Sequence, residues 1–166
     1  MLVFRNRLLS LGVGFVILLL SLRMGDAAST IGTALQTVVA AISLFHVSDL
    51  DFAEGVQGES EKTILPGTME TPENASFEVV GEPNHHFVII LPGDQDVRMK
   101  LTTGSNNPLT QEIPVFGFKS FPASLAQLEP NGKRMLYVGA TRAALPVYQV
   151  PGKYEGTFLV HVIYTH

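Results

Sequence analysis

The sequence predicts an all-β domain, an antiparallel sandwich or barrel, and three observations carry that expectation. Short runs rich in Val, Ile, Phe, Tyr and Thr recur between residues 37 and 164. Clusters of Gly, Pro, Asn and Asp cut them at short intervals. Beyond residue 27 no window keeps a helical period for long.

The N-terminus stands apart from this pattern. Arg5 and Arg7 precede an apolar run over residues 8–22, broken only by Ser10, Gly12, Gly14 and Ser21. Gly25-Asp26-Ala27 follows, with small residues at the two positions a signal peptidase reads. Arg23 interrupts the run before it reaches the ~20 apolar residues that a spanning helix needs. The expectation is a signal peptide over residues 1–27, cleaved after Ala27, the alternative being a retained anchor. Residues 28–166 then form a single sandwich domain that is exported to the periplasm, cell surface or medium, with no membrane span once the leader is removed.

Cleavage changes the charge. Removing Arg5, Arg7, Arg23 and Asp26 leaves eight basic and fourteen acidic residues, a net of −6 over 139 residues. No basic stripe remains, so nucleic acid is not expected as a partner. An acidic surface favours solubility and opposes non-specific association. There is no cysteine, which removes disulfides, thiol chemistry and cysteine-type zinc sites and leaves burial and hydrogen bonding to hold the fold.

Taken in order, the expected strands are residues 37–45, 62–65, 76–80, 87–91, 97–102, 115–121, 135–138 and 154–164. Pro66-Gly67, Gly81-Glu82-Pro83-Asn84, Pro92-Gly93-Asp94, Gly104-Ser105-Asn106-Asn107-Pro108, Pro130-Asn131-Gly132 and Pro151-Gly152 separate them. Gly supplies positive φ, Pro fixes φ and Asn tolerates the left-handed region. The last strand alternates most clearly. Tyr154, Gly156, Phe158, Val160, Val162 and Tyr164 share one face, expected to point inward, while Glu155, Thr157, Leu159, His161 and Ile163 share the other.

Residues 34–45 are long, β-branched, nearly chargeless and apolar on both faces. Such a strand wants neighbours on every side, and left free it is an aggregation hazard. Two readings stay open. It is the first strand of its own sandwich, or it is donated to another subunit by β-augmentation.

Chemistry-bearing residues are present without the patterns that catalysis needs. His85 and His86 are adjacent, so on a strand they point to opposite faces and do not chelate one metal. Asp49 and Asp51 share a face, where capping or solvation outweighs acid/base work. Asp94 and Asp96 flank a turn without the remaining ligands of a calcium loop. There is no Gly-x-Ser-x-Gly elbow and no phosphate-cradling Gly loop. The expectation is therefore no enzyme, no metal and no cofactor. Trp is absent, and Tyr137, Tyr148 and Phe121, which have the faces to stack on a sugar, are read first as core or rim.

Several motifs recur in one order: Asp49-Leu50-Asp51-Phe52 with Gly55, Phe77-Glu78-Val79-Val80-Gly81-Glu82-Pro83, Phe87-Val88-Ile89-Ile90-Leu91-Pro92, Met135-Leu136-Tyr137-Val138-Gly139, and the close from Gly152-Lys153-Tyr154-Glu155-Gly156 to Val162-Ile163-Tyr164. Together they resemble the bacterial secreted family known as domain of unknown function 4402, over residues 37–165. Ala53 and Glu54 stand before Gly55, and Val138-Gly139-Ala140 stands where members carry a Gly-Gly pair. That family is similar to spore-coat-U-like proteins and to the pilins of archaic chaperone–usher systems. The resemblance implies an incomplete immunoglobulin-like, pilin-like sandwich whose missing strand comes first from a periplasmic chaperone and then from the next subunit. It would make Leu35, Thr37, Val38, Val39, Ala40, Ile42 and Leu44 the donor strand. Tyr154, Phe158, Val160, Val162 and Tyr164 would be the terminal core strand. The short lead-in over residues 28–33 leaves open whether donor and first internal strand are one segment.

Two functions follow as expectations. The first is a structural subunit of a surface fibre or coat, whose partners are its own copies or homologous subunits and, by the resemblance, a periplasmic chaperone and an outer-membrane usher. The second is a monomeric secreted module that recognises a glycan or protein through loops 92–97, 104–111 and 122–131.

Overall fold

The computed structural model describes residues 35–103 and 111–165. Residues 1–36 and 37–166 form two units, and the architecture below is that of the second. The expected signal peptide, the lead-in and residues 104–110 of one candidate loop lie outside the described residues.

Strands run in the order β1 (Ser43–Ser48), β2 (Lys62–Thr63), β3 (Ala75–Val80), β4 (His86–Ile90), β5 (Val97–Leu101), β6 (Glu112–Phe121), β7 (Leu125–Gln127), β8 (Lys133–Arg142), β9 (Tyr154–Glu155) and β10 (His161–Tyr164). A large sheet has the order β1-β3-β8-β6-β5-β9, with β2 continuing the β3 side of β8, and a small sheet has the order β10-β4-β7. Every pairing among the described residues is antiparallel. No helix among them is long and apolar enough to cross a membrane.

The chain is an all-β, antiparallel, sandwich-like fold. Alternation decides which side chains make its core. Phe77 and Val79 of β3 and Leu136 and Val138 of β8 meet Phe87 and Ile89 of β4 and Ala126 of β7 from the opposite sheet. A second cluster under the large sheet joins Val97, Val115 and Ala140 to Phe52 and Ile64. Full burial of each large apolar side chain contributes roughly 1.5–3 kcal/mol, which suits a fold without disulfides.

Among the described residues, buried side-chain polar groups are matched. Asn74 is wholly buried; its amide donates to Pro66 O at 2.6 Å and Met69 O at 2.9 Å, and its oxygen accepts from Thr71 N at 2.8 Å. This holds residues 66–71 as a strap beside the sheet. Gly139 lies where the strap begins: a Cβ there would sit 2.2 Å from Ile64 O and 2.7 Å from Leu65 C and Pro66 N. Arg142 is buried too, paired with Glu59 at 3.1 Å and donating to the carbonyls of Ala143 and Ser60.

Three expectations about elements change. The strand expected over residues 37–45 is β1, Ser43–Ser48. The ladder with β3 starts at Ser43 opposite Val80, and β3 ends there in the Gly81–Asn84 turn, so residues 37–42 have nothing to pair with. The continuous strand expected over residues 154–164 is two strands in different sheets. β9 pairs β5, β10 pairs β4, and residues 156–160 cross between them. Gly156 permits the crossing, because a Cβ there would lie 2.7 Å from Arg98 O and 3.0 Å from Met99 Cα. Within the loop expected over residues 122–131, Leu125–Gln127 forms β7 against β4.

Candidate functional site: the seam between the first and last strands

The topology sets the first and last strands beside each other without joining them. β1 is the edge of the large sheet and pairs only β3; β10 is the edge of the small sheet and pairs only β4. Among the described residues no ladder links the two. Side chains alone close the seam. Ile42 and Leu44 from the first strand region, and Phe158, Val160, Val162 and Tyr164 from the last, pack half-buried against the core.

One end of the seam is pinned. The Tyr164 hydroxyl donates to Ala40 O at 3.0 Å and accepts from Glu82 N at 2.6 Å. The Glu82 carboxylate accepts from Ala40 N at 2.9 Å. Gly81 makes room, since a Cβ there would lie 2.2 Å from the Tyr164 oxygen. The ring edge of His85 meets the Tyr164 ring, centroids 5.7 Å apart.

At its other end the seam opens into a groove of about 990 Å³ between residues 49–52, β5 and residues 153–158. Its floor is apolar, with Leu50, Phe52, Met99, Phe118 and Phe158, and its rim is charged, with Asp49, Asp51, Lys100 and Lys153. Phe158 centres this floor, meeting Phe118 at 5.2 Å and Phe77 at 6.2 Å between ring centroids. On the rim Lys153 pairs with Glu155. That hydrogen bond and charge hold the ammonium above its ordinary pKa.

The arrangement offers an extended apolar segment two things: a half-buried hydrophobic channel, and beside it an edge strand whose outer row of backbone groups faces no strand among the described residues.

The residues expected to act divide. Leu35 falls in the first unit. Thr37, Val38, Val39 and Ala40 are exposed and outside any strand, Val38 at 82 %. Ile42 and Leu44 instead pack into this chain's own core. Tyr154 lies in β9, its hydroxyl donating to Val150 O at 2.6 Å. Phe158, Val160, Val162 and Tyr164 gather along the seam as a set, with Leu159 and Ile163 exposed on the other face. Gly81, Glu82, Leu50 and Phe52 also belong to the seam and its groove, each within a motif that carries the resemblance.

The tempting chemistry resolves into turns and rims. Asp51 accepts from Ala53 N at 2.8 Å, Asp96 from Gly93 N at 2.7 Å and Asp94 from Gly117 N at 2.9 Å. His46 pairs with Asp49 at 3.0 Å. Among the described residues no three His, Asp or Glu side chains come together as a metal ion would require.

The profile of the family described as "Domain of unknown function (DUF4402)" matches residues 42–164. The chain belongs to this family. The DUF4402 match begins at Ile42 and ends at Tyr164, the two sides of the seam. No curated protein matches the chain.

Proposed function

We propose that this DUF4402 chain is an exported structural subunit of a bacterial surface fibre or coat that assembles by strand exchange and performs no catalysis. The observation that carries the reading is the open seam: two edge strands side by side, in different sheets, over an apolar channel. An inserted strand would pair with the free edge of β10 and bury the half-exposed faces of Ile42, Leu44, Val160 and Val162.

On this reading the donated part would be residues 34–41, because residues 43–48 pair with β3 while Val38 and Val39 are exposed. The resemblance of the sequence motifs to spore-coat-U-like proteins and archaic chaperone–usher pilins would, on this reading, make a periplasmic chaperone the first occupant of the seam, another copy or a homologous subunit the second, and an outer-membrane usher the exporter.

Two measurements test this. Electron microscopy of the purified protein should show fibres that deletion of residues 28–41 abolishes while the domain stays folded. A synthetic peptide of residues 28–45, added to the deleted form at 100 times its Kd, should stabilise it by about 2.7 kcal/mol. For a unit of this size that raises Tm by roughly 8 °C. A strictly monomeric full chain, together with a peptide that leaves Tm unchanged, would sink the proposal.

A further inference from the structure

The outer face of the large sheet carries a second concavity, away from the seam. It encloses about 410 Å³, within the range of small-molecule sites. Alternation builds its floor. Glu78 of β3 stands opposite Met135 of β8, and Tyr137 of β8 stands opposite Phe121 of β6, all on the face turned from the core. The strap at Thr68 walls one end, and the Glu129–Lys133 turn walls the other.

Two features define what fits. Phe121 and Tyr137 are register neighbours, and among the described residues neither pairs with another aromatic ring. Both line the concavity, Tyr137 half-buried and Phe121 39 % exposed. Around them the charges cancel in pairs, Lys133 with Glu78 at 2.9 Å and Arg134 with Glu129 at 3.6 Å. Asn131 is held by accepting from Lys133 N at 2.9 Å. An apolar ring platform ringed by fixed, mutually neutralised donors and acceptors suits a ligand with one C–H face and a periphery of hydroxyls.

We propose that this face binds a neutral saccharide, one sugar ring lying on Tyr137 and Phe121 and its hydroxyls meeting Glu78, Asn131 and Arg134. Neutrality follows from the paired charges, since an acidic sugar would compete with Glu78 and Glu129 for the same cations. The site is independent of strand exchange, because it uses the face of the sheet and not its edge.

The test is an NMR titration of the full purified chain with maltotriose, cellotriose, chitotriose and trigalacturonate, each taken to about 10 mM, some ten times a Kd of 1 mM. At least one neutral trisaccharide should shift the amide signals of residues 78, 121 and 131–137. Tyr137→Ala should weaken that binding about tenfold. Arg134→Gln, which leaves the floor intact, should weaken it as well and serves if Tyr137→Ala does not fold. No shift with any neutral sugar, shifts elsewhere, or binding untouched by the folded variants would overturn the proposal. So would trigalacturonate binding more tightly than every neutral sugar.

Discussion

Tyr164→Phe removes one oxygen that serves two backbone groups, each more than 80 residues away from it in the chain. The Glu82 amide is partly buried and loses its partner at 2.6 Å, at a cost of about 1.5 kcal/mol. The Ala40 carbonyl is exposed and regains water, so its bond at 3.0 Å contributes only about 0.5 kcal/mol. The substitution should therefore destabilise by about 2 kcal/mol, a fall in Tm of roughly 6–8 °C. Gly81→Ala attacks the same spot from the other side. The new methyl would lie 2.2 Å from the hydroxyl oxygen but 3.1 Å from Leu128 Cδ1 and 3.2 Å from Tyr164 Cζ. With Tyr164 intact, the overpacking and the displaced hydroxyl together should cost about 3 kcal/mol. With Phe at 164 the worst contact is gone, and the added cost should fall to about 1 kcal/mol. Urea unfolding of the four proteins gives the coupling directly, and the double variant should be more stable than the sum of the singles implies by about 2 kcal/mol. Additivity within about 0.5 kcal/mol would show that Tyr164 does not pin the seam through Gly81.

Two other sites test the packing away from the seam. Gly139→Ala pushes a methyl into the backbone of Ile64, Leu65 and Pro66, which cannot rotate away. It should destabilise by about 2–3 kcal/mol and speed hydrogen exchange at Ile64 N, whose partner is Ala140 O; an unchanged exchange rate would contradict the contact. Glu59→Gln leaves the Arg142 guanidinium buried with only carbonyl partners. Because Glu59 is itself a third exposed, the loss should sit near about 2–3 kcal/mol, read by thermal unfolding, and a loss under about 0.5 kcal/mol would mean the pair is screened like a surface one.

The all-β class was legible because turn residues act locally: Pro66-Gly67, Pro92-Gly93 and Pro130-Asn131-Gly132 each end a strand wherever the chain goes next. The inward face of residues 158–164 was legible for the same reason, since a period of two is a local property. That same period hid the change of sheet after Glu155, because alternation reads alike on both sides of a crossing. The start of β1 was not legible either. It is set by where β3 ends, at Val80, and nothing within residues 37–45 carries that information. β7 is only three residues long and sits among turn residues, below the length at which a pattern can be read. As for the site, the aromatic and valine face of the last strand was visible. The clamp was not, because Ala40, Gly81 and Tyr164 meet only in three dimensions.

In a fibre of the proposed kind, that clamp would set where mechanical load enters the domain. Residue 40 leads into β1 and residue 164 ends β10, and both lie at the same end of the sandwich. Tension applied across these two points meets the Tyr164 bonds first, then peels each edge strand from its neighbour one pair at a time. A strand seated between β1 and β10 and pulled along its own axis would instead load its whole ladder at once. The domain alone would open like a zipper, while a filled seam would resist in shear.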